Sequence, residues 1–291
     1  MKLAAFPKCF MDQLVVDRSM SVFDWIDMAA DLPIEGLELY DGFLTSQESS
    51  YLDEVRRAIE RRNFEMPMLC VSPDFTQPAV EDRRREIKRE KQMIDLAARL
   101  GGRYCRVLSG QRRPDVSRED GVRWVVECVQ ECADYASGKG IVLAMENHYK
   151  DNYWVHPEFA QRREVFLEIV NELSAPNFGV QYDPSNTLLA GEDPIELLEA
   201  VKHRVVTMHA SDRRLKPGHT LEELRQIEDS VGYASILSHG VIGQGLNDYP
   251  RIFQILRGSG FDGWVSIEDG MNGLEEIRAS AEFLRPLMQA A

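Results

Sequence analysis

Short apolar runs alternate with longer amphipathic stretches along the whole chain. The runs are Leu3–Phe6, Gly36–Tyr40, Met66–Val71, Tyr104–Leu108, Ile141–Met145, Phe178–Tyr182, Val205–Met208 and Gly263–Ile267. None alternates strictly between apolar and polar residues, which predicts strands buried on both faces, as in a parallel sheet. Between them, the helical period predicts helices over Val22–Ala30, Tyr51–Arg62, Val80–Leu100, Val122–Ala136, Phe159–Leu173, Pro194–Val201, Tyr249–Gly258 and Leu274–Met288. Ser21 supplies an N-cap to the first, and Gly101-Gly102 stops the third. Eight such alternations without a Ser/Gly/Pro linker predict an α/β chain folded as a single (β/α)8 TIM barrel, one domain over residues 1–291. An open doubly wound sheet is the alternative, but no Gly-x-Gly-x-x-Gly turn follows the first strand. Between Met208 and Tyr249 the spacing leaves room for a long loop with its own helix over Leu221–Ile227. Loops after barrel strands open on the C-terminal face, so this 213–240 insertion is expected beside any active site.

Composition narrows the classes. With 34 Lys+Arg against 48 Asp+Glu the 291-residue chain carries a net charge of −14, and at 44% hydrophobic it has ample material for a core. General disorder is thereby excluded. The acidic balance argues against nucleic acid as a partner, since phosphates require a positive surface. The basic run from Arg83 to Lys91 is interleaved with Glu81, Asp82, Glu86 and Glu90, which predicts a solvated, salt-bridged helix face. No stretch approaches ~18 uninterrupted apolar residues, so no membrane span is expected. The opening Met1–Lys8 meets Pro7 before a signal-type apolar core forms, which leads us to expect a cytoplasmic protein. The five cysteines are odd in number and sit mostly inside apolar runs, as reduced core thiols rather than a disulfide frame. Cys128 and Cys132 are four apart on a predicted helix, but no second ligand pair accompanies them.

The chemistry lies at the strand ends. Glu146 follows the fifth run, Asp183 the sixth, His209 the seventh and Glu268 the eighth. In a parallel barrel these four ends lie side by side on one face. Acidic residues often follow strands as helix caps or turn formers. Three carboxylates gathered there, however, would repel one another without a cation between them. The mixed oxygen/nitrogen set suits one divalent ion with open positions, Mn²⁺ foremost, with Mg²⁺, Co²⁺ or Zn²⁺ as alternatives. His148 projects to the same side of the strand end as Glu146 and is a candidate substrate contact. Further candidate substrate contacts are Asn186, Asp212 and Arg213. Arg213, Arg214, Lys216 and His219 form a basic loop suited either to an anionic group or to plain solvent exposure. Tyr149, Tyr153 and Trp154 could stack on a ring or simply pack their loop, and Glu38 is expected to support the barrel mouth.

Gly36-Leu-Glu-Leu-Tyr, Met145-Glu-Asn-His, Tyr182-Asp-Pro-Ser-Asn, Met208-His-Ala-Ser-Asp, Ser266-Ile-Glu-Asp and the Gly243-Gln-Gly245…Asp248-Tyr249 entry into the seventh helix resemble the xylose isomerase-like TIM barrels, more narrowly the sugar phosphate isomerase/epimerase family. The resemblance implies that Glu146, Asp183, His209 and Glu268 bind one divalent metal. It also implies that Glu146 and Glu268 act as acid and base on a keto-sugar, sugar phosphate or polyol, through an enediolate. The same core would serve a lyase or dehydratase. A non-catalytic sugar-binding barrel and an apurinic endonuclease are weaker alternatives. Two positions depart from the family's ketose 3-epimerases, which carry a His where this chain has Asn186 and a Glu where it has Asn152. The expected partner is a small carbohydrate, with homo-oligomerisation left open.

Overall fold

A computed structural model describes residues 1–151, 153–226 and 235–289; Asn152 and Ile227 lie outside the described residues. The strands of the barrel are β1 (Lys2–Ala5), β2 (Gly36–Leu37), β3 (Leu39–Tyr40), β4 (Met68–Cys70), β5 (Tyr104–Val107), β6 (Val142–Glu146), β7 (Phe178–Tyr182), β8 (Val205–Ala210) and β11 (Trp264–Ile267). They run parallel in the order β2-β1-β11-β8-β7-β6-β5-β4-β3. β2 and β3 are two halves of one strand interrupted at Glu38: β2 pairs with β1 and β3 with β4, which brings the ends of the sheet together. Nine segments therefore occupy eight positions, the expected TIM barrel. β1, β4, β5, β7 and β11 are buried almost throughout, as unalternating apolar runs require when helices cover one face and the barrel interior fills the other.

Helices α1 (Val22–Met28), α2 (Ser49–Arg61), α3 (Val80–Arg99), α4 (Arg118–Ser137), α5 (Arg163–Glu172), α7 (Pro194–Val201), α9 (Tyr249–Gly258) and α10 (Leu274–Gln289) form the outer ring. Local chemistry sets their ends. Ser21 Oγ accepts from Asp24 N while the Asp24 carboxylate accepts from Ser21 N, a reciprocal cap on α1. α3 stops because Gly101 takes φ +85, a left-handed turn that a Cβ would penalise by about 1 kcal/mol. Among the described residues no helix is long and apolar enough to cross a membrane. All five cysteines are free thiols.

Three features differ from the sequence expectation. A short helix, α6 (Pro184–Leu189), follows Asp183 directly, where the hydrophobic pattern marked no element. The insertion after β8 holds more than a helix: β9 (Arg213–Leu215) pairs antiparallel with β10 (Leu237–His239), flanking α8 (Leu221–Gln226). Glu90 does not lie on a solvated face; it is 0% exposed in the α3 layer, with Cys105 Sγ donating to its Oε1 at 3.4 Å. The rest of the basic run behaves as expected, with Arg89 on Asp41, Lys91 on Glu131 and Arg83 stacked on Trp124 at 4.1 Å.

Candidate metal centre

β6 carries Glu146 as its last residue, β7 delivers Asp183, β8 carries His209 within its final turn of pleat, and Glu268 follows β11. Ligand atoms from all four lie within 4.8 Å of one another, and all four side chains are buried. His209 Nδ1 is 3.2 Å from Glu146 Oε1 and 3.7 Å from Glu268 Oε2. The four residues that the sequence singled out as metal ligands are thus brought together at the C-terminal mouth of the barrel.

Each is held by partners of its own. Asp183 Oδ1 accepts from Ser185 N at 2.7 Å and Asn186 N at 3.0 Å, capping α6, and from Ser211 Oγ at 2.9 Å. Glu146 Oε2 accepts from Arg106 Nη1 at 2.8 Å, and its Oε1 from Asn186 Nδ2 at 3.1 Å. Lys8 Nζ lies 3.3 Å from Glu268 Oε1. On the far side of the imidazole, His209 Nε2 meets Glu38 Oε1 at 2.5 Å, and the same oxygen accepts from Cys70 Sγ at 2.9 Å. Glu38 therefore supports the mouth as expected, and does so by orienting the histidine, the arrangement that fixes ring and tautomer at metal sites.

The electrostatics describe an unbalanced cluster. Burial pushes the Asp183 carboxyl up to about 6, and the neighbouring Glu146 and Glu268 charges add to it. Burial acts the same way on Glu146 and Glu268, but His209 and Arg106 on the first, and Lys8 and His209 on the second, hold both below the usual carboxylate range. Burial lowers the His209 imidazole, yet Glu38, Glu268 and Glu146 around it drive it far above its ordinary value. In other words, the carboxylates draw a proton onto the ring to supply the positive charge they lack. A divalent cation would supply the same charge more fully and leave Nδ1 free as a ligand, so the donor set fits a hard or borderline ion.

The remaining candidates separate. His148 is about one-seventh exposed and lines a pocket beside Glu268 with Lys8, Tyr40 and Arg106. Asn186 is turned onto Glu146. Asp212 and Arg213, read from the sequence as substrate contacts, face protein instead. Asp212 accepts from the backbone N–H of Gly243, Gly245 and Asn247, and a Cβ on Gly245 would come within 2.2 Å of its Oδ1. Arg213 is 3% exposed, with Nη1 on Asp269 at 3.1 Å; Asp269 also takes His239 Nδ1 at 3.0 Å, so one buried carboxylate ties both strands of the hairpin. Lys216 donates to Ser235 O and His219 pairs with Glu223, both at the surface. Tyr149 packs with Leu189, Leu224, Ile236 and Leu237 beneath the insertion, whereas Tyr153 lines the pocket. Arg106 and Lys8 were not foreseen. A charged residue inside the apolar Tyr104–Leu108 run was the available signal for the first.

Comparison with known proteins places this geometry. A family profile described as xylose isomerase-like TIM barrel matches residues 26–287. An inosose dehydratase of Geobacillus thermodenitrificans (strain NG80-2) is 20% identical over 147 residues, 50% of this chain and 45% of that protein. The chain thus spans less than half the length of the curated relatives it matches. Among solved structures, D-psicose 3-epimerase from Clostridium cellulolyticum H10 with D-tagatose superposes with a TM-score of 0.77 at 14% identity over 100% of both chains. The IOLI protein with a zinc atom superposes with a TM-score of 0.75 at 17% identity over 99% of this chain and 98% of that one. At such identities the superpositions speak for the fold.

Proposed function

The chain belongs to the xylose isomerase-like TIM barrel family, and on that premise we propose that it is a divalent-metal-dependent enzyme that removes the proton next to the carbonyl of a keto-sugar, sugar phosphate or keto-polyol and returns it elsewhere, an isomerase or epimerase. The observation that carries this reading is the buried Glu146–Asp183–His209–Glu268 cluster, with one glutamate on β6 and the other beyond β11, and β7 and β8 between those strands. Bound there, the ion would polarise a carbonyl and neighbouring hydroxyl and so acidify the C–H between them.

The chain's own residues would do the rest. Glu146 and Glu268 approach the ligand space from separate strands, so one is placed to take the proton and the other to give one back. Arg106 on Glu146 and Lys8 on Glu268 favour the ionised form that the proton-taking carboxylate needs, while its counterpart must first take up a proton from solvent before it can return one. Glu38 and Cys70 hold the His209 ring, and Ser211 with the start of α6 holds Asp183, so the site is organised before substrate arrives. Asp269, next to Glu268, ties Arg213 and His239 of the hairpin, and Asp212 holds the Gly243–Asn247 loop.

Elimination of a β-hydroxyl from the same enediolate is the second reading. It is favoured by the inosose dehydratases among the curated relatives, and by Asn186 standing where the family's ketose 3-epimerases have a histidine. The deciding experiment loads the purified protein with Mn²⁺ or Zn²⁺ in deuterated water and offers ketoses, their phosphates and inososes. Deuterium entering recovered substrate or its epimer supports the first reading, and loss of water supports the second. No exchange with any of them would remove the enolisation mechanism.

A further inference from the structure

Ten residues beyond His148, Glu158 is 0% exposed and belongs neither to the ligand cluster nor to the wall of the pocket. Its Oε1 accepts from Ser109 N and Ser109 Oγ, both at 2.6 Å, and its Oε2 lies 3.3 Å from His148 Nδ1. The hydroxyl proton of Ser109 is committed to Glu158, because Ser109 Oγ itself accepts from Ala160 N at 3.0 Å. Backbone bonds pin the segment from both sides: Glu158 N donates to Tyr149 O and Phe159 N to Gly110 O. A buried carboxylate with one oxygen saturated by two donors presents only acceptor character to the ring. The imidazole must then place its hydrogen on Nδ1. In the neutral ring that leaves Nε2 bare, on the side chain that lines the pocket with Lys8, Arg106 and Glu268.

We propose that Glu158 is a positioning residue that locks His148 in the Nδ1–H tautomer, so that Nε2 is presented as the hydrogen-bond acceptor for a hydroxyl of the substrate beside the metal centre. This rests on the reading that the pocket takes a polyhydroxy ketone. The logic matches the buried aspartate of a hydrolase triad, whose replacement by its amide leaves the geometry and inverts the tautomer. Here the inversion follows from the donors. In Glu158→Gln the amide oxygen stays with the two Ser109 donors, so the NH₂ turns to Nδ1 and the ring carries its hydrogen on Nε2 instead.

The test is ¹⁵N-histidine NMR on the Zn²⁺-loaded protein over a pH series reaching about 9–10, so that the neutral ring is read even though, against the effect of burial, Glu146 and Glu158 hold the His148 imidazole above its ordinary value. The His148 signal among the six histidines is identified by its loss in His148→Gln. The expected result is the Nδ1–H tautomer in the unaltered protein and the Nε2–H tautomer in Glu158→Gln, at equal metal content. Turnover of an inosose should lose roughly 10–100-fold in kcat/KM, mainly through KM, because a donor would then face the position of a donor. An Nε2–H tautomer in the unaltered protein, or an unchanged tautomer in Glu158→Gln, overturns the proposal, and the first needs no variant to fold. If the unaltered protein acts on no inosose, the functional reading fails for that substrate while the tautomer still decides the role of Glu158.

Discussion

Replacing Glu38 by Gln probes how far the support behind His209 reaches into metal binding. The carboxylate meets Nε2 at 2.5 Å with both side chains at or below 1% exposure, so solvent screens little of the interaction. Glutamine keeps the shape and loses the charge. Its orientation is dictated by the donors: His209 Nε2 and Cys70 Sγ both address Oε1, so the amide oxygen stays there and the tautomer that leaves Nδ1 for the ion is kept. This is the reverse of Glu158, where the donors are divided between the two oxygens. The expected loss is therefore the difference between a charge-assisted and a neutral hydrogen bond, about 1–2 kcal/mol, or roughly a 10-fold weaker Kd. Competition against a chromophoric chelator at fixed pH, with Zn²⁺ or Mn²⁺, measures it directly. A Kd unchanged in Glu38→Gln but raised in His209→Ala would refute the reasoning, since the ligand would then bind without its supporting carboxylate.

Three further outcomes are expected. Glu268→Gln should keep the folded barrel and at least part of its metal while turnover and substrate proton exchange fall by ~10²–10⁴-fold, because the amide cannot take a proton; full exchange would point to another base. His209→Ala should reduce metal content by elemental analysis more than His148→Ala does, since His148 lies outside the four-residue cluster. Burial pushes the Glu90 carboxyl up to about 8, so the folded state holds a proton that the unfolded state has released, and stability falls as pH rises from about 5 towards 8, by an amount on the order of 4 kcal/mol. Urea midpoints from about pH 5 to 9 should decline in the unaltered protein and flatten in Glu90→Gln; parallel declines would show that another group titrates.

The architecture was legible because its determinants are local. Apolar runs of four to six residues are too short for buried helices and read as strands covered on both faces, and eight of them separated by amphipathic stretches leave few topologies other than a closed barrel. Run boundaries matched strand boundaries to within two residues or so, as at Tyr104–Val107 and Phe178–Tyr182. The short helix α6 was missed because no apolar period marks six residues whose cap is Asp183 itself, a member of the strand-end cluster. Glu90 was misplaced for a related reason: charge alternation along α3 says which residues are polar, and only packing against β5 decides which of them is buried.

For the site, strand termini were enough to name Glu146, Asp183, His209 and Glu268, since parallel strands in a closed barrel carry their ends to one face whatever the intervening sequence. What sequence position cannot convey is which polar atoms are already spent. Asp212 and Arg213 follow a ligand strand as a substrate contact would, yet the loop at Gly243–Asn247 and the carboxylate of Asp269 claim them. Arg106, Lys8, Glu38 and Cys70 reach the centre from β5, the turn after β1, the break between β2 and β3, and β4, and Glu158 reaches His148 from the segment after β6, separations that no periodicity spans. Hydrophobic pattern acts over a few residues and is written in the chain; hydrogen-bond partnership is assigned only when distant segments meet, so the fold and the four-residue cluster belonged to the sequence and the partners that hold each side chain to the tertiary structure.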